Sequence, residues 1–527
     1  MRRGDLGAGL RLLGRLPAQL RARLDPEAAL ATVRGRLATR EEDFLALLRT
    51  AVFPDAAQPV HRLLARAGCA YGDVEGLVRR EGLEGALQAL LRAGVYVTAD
   101  ELAGRVPVVR GSDRFTVGLD DFRNPSARGH LTAQSGGSRG GTPGTLALDL
   151  DALAEQFPSY RAAYAAAGID GATTGLWTAP GTTGIAIAMR NVAMFGRAPR
   201  RWFSPVDLRA PALRTHRWML RAVAAGFALQ GLRLARPEFV APSAPQPILD
   251  WLAAERRAGA RPFLVLYPTS AVRLAEAAVA AGMDLRGVWL LLMGEPVTAA
   301  RVAAVRATGA AVWTLYGTIE AGSVGMGCLQ PDSVDEVHVY EDLHAVIQPG
   351  ADGAAAGLPA EALLVTSLRP QARLVTVNAS VGDQATRSRR ECGCPLQTVG
   401  WRTHLADIHS FEKLTGMGMT FAAAEVTPVL EQALPARFGG LATDFQLVEE
   451  ESGDGGVRLR LVVHPRLGPL DDAALIDAFL DALAEVSPTR RLMTLAWRTA
   501  GIVRVDRSPP LVAPSGKIMH FRRAGAG

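Results

Sequence analysis

Three hydrophobic patterns follow one another along the chain. Glu41 to Val52, Pro59 to Ala67 and Leu83 to Ala93 repeat apolar residues at three- and four-residue spacing. That spacing predicts amphipathic helices and makes residues 1 to about 125 a mostly helical lead-in. Pro262 to Tyr267, Gly287 to Met293 and Ala311 to Tyr316 are short, largely apolar runs, the pattern of buried strands. Between them, a segment from a Ser270 cap to Gly282 and another from Thr298 to Gly309 carry helix start and stop residues. Strand, helix, strand, helix, strand predicts a parallel sheet with crossover helices. Further on, Asp444 to Val448 and Val457 to Val463 flank the turn Glu451 to Gly456 as a hairpin, and Leu470 to Val486 repeats with a helical period. The expected fold class is α/β. A large N-terminal domain (1–408) with mixed or parallel sheets flanked by helices precedes a small α+β domain (409–527).

Composition adds limits. The chain has 527 residues, 48% of them apolar and 21% charged, so it is globular material long enough for more than one domain. Its 58 basic and 52 acidic residues give a net charge of +6, spread along the whole chain. A nucleic-acid partner is not expected, since that needs basic residues clustered on one face with interleaved aromatics. Four cysteines are too few for a disulfide framework, which points to a reducing compartment and a cytoplasmic protein. Leu6 to Leu24 is amphipathic, but Arg11, Arg15, Arg21 and Arg23 interrupt any signal-peptide core, and no apolar run is long enough for an integral membrane segment. A peripheral membrane role for that first helix stays open.

Chemistry concentrates in a few places. Gln134 to Gly144 holds five glycines, two serines, a threonine and Arg139. Glycine lets backbone N–H groups approach phosphate oxygens, and hydroxyls add donors, so this loop can cradle a polyphosphate or be a plain surface loop. It lacks the Gly-Lys-Ser/Thr ending of a Walker loop. Gly294-Glu295-Pro296 and Tyr316-Gly317-Thr318-Ile319-Glu320 follow predicted parallel strands, where open sheets bind ligands. A tyrosine there offers a stacking face and a glutamate offers a hard oxygen for Mg²⁺. Only two of the 58 basic residues are lysines, Lys413 and Lys517, so a site needing a compact ammonium has few sources. Cys328, His338, Cys392 and Cys394 are by residue type either a tetrahedral zinc set, structural because four protein ligands leave no open position, or buried thiols without a metal.

The glycine-rich loop, Tyr316-Gly317-Thr318-Ile319-Glu320, Gly382-Asp383 and Ala513-Pro514-Ser515-Gly516-Lys517-Ile518 occur in the order seen in adenylate-forming enzymes. The chain resembles that superfamily of acyl-CoA synthetases, adenylation domains and luciferases over roughly residues 100 to 525, with the phenylacetate-CoA ligase-like branch nearest. The resemblance implies a mobile C-terminal domain and a MgATP site. Ser135, Gly136, Gly137, Ser138, Arg139, Gly140 and Thr142 would grip the phosphates. Gly294, Glu295, Tyr316, Gly317 and Thr318 would surround the nucleotide, Glu320 would hold Mg²⁺, and Asp383 would bind the ribose. Lys517 would bridge carboxylate and α-phosphate. The implied activity makes an acyl-adenylate from a small carboxylic acid and ATP, then transfers the acyl group to coenzyme A. An amide or ester synthetase passing the acyl-adenylate to an amine or a protein and a non-catalytic nucleotide-binding homologue are the alternatives. The chain departs from the pattern at Ile319, where the family has Thr or Ser, and at Gly144, where it often has Lys. The hinge-like segment His409 to Gly416 matches only at Lys413 and Gly416, and Arg402 is a candidate for the missing nucleotide contact.

Overall fold

The computed structural model describes residues 16–21, 23–126, 131–134, 145–209, 214–295, 297–410, 414–416, 419–421, 426, 428–440, 444–451, 457–485, 488–510 and 521–523. The loop 135–144, Pro296, Lys413 and Lys517 lie outside the described residues.

The centre is a twelve-stranded sheet. Its strands are β1 (Thr173–Trp177), β2 (Arg201–Ser204), β3 (Pro237–Phe239), β4 (Pro262–Leu266), β5 (Trp289–Met293), β6 (Ala311–Thr318), β7 (Gly322–Gly327), β8 (Val337–Val339), β9 (His344–Ile347), β10 (Ala362–Ser367), β11 (Ala379–Arg389) and β12 (Thr403–Ser410). The spatial order is β9-β10-β11-β12-β8-β7-β6-β5-β4-β1-β2-β3. From β3 to β6 all neighbours pair parallel, and from β6 to β9 all pair antiparallel. The sheet is therefore mixed, and it changes character at the tight turn between β6 and β7.

The run that predicts β4 is buried throughout, as are Leu290 to Leu292 of β5 and Trp313 of β6, as a sheet covered by helices requires. The crossover helices are Pro268–Ala280 and Ala299–Arg306. Thr298 caps the second, accepting the Arg301 N–H. The first begins before the expected cap: Pro268, with its φ preset for a first helical turn, starts it, and Ser270 sits inside that turn. Lead-in helices Arg40–Leu47, Pro59–Arg66 and Tyr71–Arg92, the last kinked at Gly82, bury Phe44, Leu64, Leu87 and Leu90 against Ala345, Leu364 and Leu374 of the antiparallel half.

Beyond β12 a second sheet forms from β13 (Phe445–Glu451), β14 (Val457–Val463), β15 (Val503–Asp506) and β16 (Phe521–Arg523), in the order β15-β14-β13-β16. Helices Asp472–Glu485 and Pro488–Ala500 complete a core around Phe445, Leu461, Phe479 and Trp497. This small unit touches the large one through Leu492 and Ala496, packed with Val206 and Ala179, and through Arg273, which donates to the Ala500 carbonyl at 3.1 Å. Among the described residues no helix is long and apolar enough to cross a membrane.

Candidate functional site

The site forms where the parallel strands end. The backbone turns away after β5 at Gly294, whose φ of 80° favours glycine, and after β6 through the segment Tyr316 to Glu320. Between Tyr316 and Gly317 the pairing with β7 shifts register. A Cβ on Gly317 would come within 2.7 Å of the Gly322 carbonyl oxygen, so this hairpin closes only on a glycine.

Tyr316 meets β11, with three strands between β6 and β11 in the sheet order. Its hydroxyl donates to Asp383 Oδ2 at 2.9 Å, joining residues 67 positions apart in sequence. Burial, reinforced by the Asp383 and Glu320 carboxylates, raises the phenol well above its ordinary range, so it stays a neutral donor. The Thr318 hydroxyl oxygen accepts the Ala321 N–H at 3.1 Å, which leaves its own proton free to donate, while Ile319 stands 41% exposed. Tyr267, at the end of β4, is held at the Ala179 backbone, and burial raises its phenol to about 12. Glu295 is turned inward: its carboxylate lies 3.6 Å from Arg301 with neither side chain open to water. Only its backbone is placed to meet a ligand.

Arg373 was not legible as a site residue. Its guanidinium donates to the Ile319 carbonyl and, at 3.2 Å, to that of Glu320. Desolvation lowers it to about 10, while Glu320 and the nearby Asp149 oppose the shift, so it remains a cation. Asp149 caps the helix Leu150–Glu155 that follows the strand Thr145–Leu148, and that strand closes the hairpin carrying the glycine-rich loop. Arg373 thus lies between the Tyr316–Glu320 segment and the cap of the helix Leu150–Glu155. Only its charge, in a stretch with no other signature, could have flagged it.

Arg402 lies elsewhere. Thr403, its neighbour, pairs with Arg389 at one end of β11 and β12, whereas Asp383 pairs with Ser410 at the other. Its guanidinium binds Glu391 at 2.7 Å, so the structure does not bring it to the nucleotide-type residues.

That far end of the sheet holds the cysteines. Cys328 follows β7, His338 is in β8, and Cys392 and Cys394 lie in the connection between β11 and β12; their ligand atoms all fall within 4.8 Å of one another. His338 Nε2 faces Cys394 Sγ at 3.2 Å and Cys392 Sγ at 3.5 Å, and Nδ1 is 3.2 Å from the Trp401 carbonyl. A proton on Nδ1 would bond that carbonyl and leave the Nε2 lone pair towards the thiols, the arrangement of a metal-ligating histidine. Hydrogen bonding from Cys328 drives the Cys394 thiol towards thiolate. Donor type, number and spacing fit a tetrahedral zinc ion.

No family model matches the sequence, and no curated protein matches it. Solved structures do. The chain superposes on a 2-hydroxyisobutyryl-CoA ligase, solved with 2-HIB-AMP and CoA in the thioesterification state, with a TM-score of 0.56 at 14% identity, covering 93% of this chain and 90% of that one. An open conformation of the same ligase gives 0.42 at 14% identity over 94% and 90%. An amide bond synthetase from Marinactinospora thermotolerans gives 0.40 at 16% over 88% and 91%. The fold is that of the adenylate-forming enzymes.

Proposed function

We propose that the protein is an ATP-dependent, AMP-forming carboxylate ligase of the phenylacetate-CoA ligase-like type, acting in the cytoplasm. The observation that carries the reading is the Tyr316–Asp383 hydrogen bond at the carboxyl end of the parallel strands, beside Glu320. Two family motifs distant in sequence meet there on one surface of the adenylate-forming fold.

In this reading adenine lies against Tyr316 and the Gly294–Glu295 backbone, and Asp383 accepts the ribose hydroxyls. Ser135 to Thr142 enclose the β- and γ-phosphates. Glu320 holds Mg²⁺, which when bound neutralises phosphate charge. A carboxylate oxygen of the acid attacks the α-phosphorus, the bond to the bridging oxygen breaks, and pyrophosphate leaves. Lys517 steadies the negative charge as it passes from carboxylate to phosphate, a task suited to a compact ammonium. The adenylate then yields its acyl group to coenzyme A, with AMP leaving. Residues 1–408 act as the large domain and 409–527 as the mobile one. Ser410 pairs with Asp383 itself, so the chain departs for the second unit beside the ribose residue. Because the hinge-like segment departs from the family pattern, an amine in place of coenzyme A is the second reading. Zinc at Cys328, His338, Cys392 and Cys394 has a structural role.

Acid-dependent exchange of pyrophosphate into ATP over aryl, fatty and amino acids tests the first half-reaction, and product analysis with coenzyme A or amines tests the second. Exchange with at least one acid class is expected; none across the panel overturns the ligase in favour of a nucleotide-binding homologue. Lys517→Ala should lower exchange about 10²- to 10³-fold, the cost of removing one preorganised donor from developing charge. Exchange at the native rate would remove Lys517 from the chemistry.

A further inference from the structure

The positive charge of this chain is thin overall but locally concentrated. From Leu208 to Pro237 there are six arginines and one histidine and no Asp or Glu. The stretch includes the helix Arg214–Ala228, which connects β2 to the edge strand β3. The inner side of that helix is settled: Leu220, Val223 and Phe227 are buried in the main core. The outer side is not what a water-facing helix needs. Trp218 is 67% exposed and Leu229, the next residue after the helix, is 80% exposed.

Eleven residues span about three turns, so Trp218 and Leu229 project from nearly the same face about 16 Å apart along the axis. Exposed Ala222 and Ala225 lie between them and keep that ridge low. Arginines flank it along the chain. Arg221 lies over the Trp218 ring at 5.4 Å, and Arg233 and Arg236 are exposed. These three make no ion pair among the described residues. A second arginine-rich segment meets the same end: Arg21 donates to Gln230, the neighbour of Leu229, at 2.8 Å.

We propose that this face docks on an anionic membrane surface. Two exposed apolar side chains on one helix face lie in a stretch that carries arginines and no carboxylate. A fluid bilayer interface takes a tryptophan ring and a leucine at headgroup depth, and supplies diffuse negative charge to unpaired guanidinium groups. The inference is independent of the ligase reading.

Co-sedimentation with vesicles tests it, comparing pure phosphatidylcholine with a phosphatidylcholine–phosphatidylglycerol mixture. The full chain should bind the anionic vesicles at least tenfold more tightly, and less so as salt rises. Trp218→Glu with Leu229→Glu should weaken that binding at least tenfold, and Arg221→Glu with Arg233→Glu should remove most of the preference for anionic lipid. Both pairs are exposed, so the melting transition should not move, and circular dichroism checks this. Equal binding to neutral vesicles, full binding by folded variants, or retention by an acidic protein or nucleic acid with no vesicle binding would each overturn the proposal.

Discussion

At the scale of single residues, the site depends on polar groups whose protonation the fold fixes. Asp383 receives the Tyr316 hydroxyl at 2.9 Å and is proposed to receive the ribose hydroxyls as well. Hydrogen bonds to a charged group contribute about 1.5–3 kcal/mol. Asp383→Ala should therefore raise the KM for ATP roughly tenfold or more while leaving the KM for the acid near its native value. Initial-rate kinetics in both substrates show whether the effect falls on ATP alone. His344 gives a pH prediction of known sign. Burial lowers it from 6.5 to about 4, with Nε2 lying 3.1 Å from the Ser323 carbonyl. The unfolded chain takes up the proton first. Stability is thus complete above pH 6.5 and falls as the pH drops towards 4, by at most about 3 kcal/mol. Urea midpoints measured from pH 7 to pH 4 should show that decline, and His344→Gln should flatten it. An unchanged slope in the variant would assign the loss to other groups.

At the scale of elements, the turn between β6 and β7 does most of the positioning. Gly317 makes it possible and the Thr318 hydroxyl braces it at the Ala321 N–H. Arg373 ties it down by donating to the carbonyls of Ile319 and Glu320. Arg373→Ala leaves both without that donor and lets Glu320 drift, so exchange activity should fall about tenfold and the Mg²⁺ concentration for half-maximal rate should rise. Arg373→Lys keeps the charge but loses the planar fork, and should land between the two. A Mg²⁺ titration separates this role from simple destabilisation, which would leave the half-maximal concentration unmoved. The same turn shows what the sequence could and could not convey. Tyr316 to Glu320 were readable because their types match a motif at a strand end. Arg373 was not, because its role comes from a backbone contact that joins residues 54 positions apart. The parallel strands were readable because Pro262–Leu266 and Trp289–Met293 are apolar throughout. The antiparallel half was not: Val337–Val339 is too short to show a period, and β11 begins buried and ends exposed.

At the scale of the whole molecule, the two ends of the antiparallel strands do different work. One end carries Asp383 beside Tyr316, and the other carries Cys328, His338, Cys392 and Cys394. The six residues of β7 separate Glu320 from Cys328, about 20 Å of strand. A zinc ion there would cross-link β7, β8 and the β11–β12 connection without touching the chemistry. Trp401, whose carbonyl faces His338, donates its indole N–H to the buried Asp342 at 2.9 Å, so the metal end is wired into the main core. Elemental analysis of protein purified without chelator should find about one zinc per chain, by the count of one four-ligand set. Cys394→Ser should release it and lower the melting temperature, since the binding energy of a structural metal is folding energy. The KM for ATP of the protein that remains folded should be native, because the proposed nucleotide site is remote. Should the native protein carry no zinc and the Cys394→Ser variant melt unchanged, the four residues are a packed thiol cluster. A zinc-loaded native protein whose Cys394→Ser variant loses ATP affinity before stability would instead show that the two ends of the sheet are coupled.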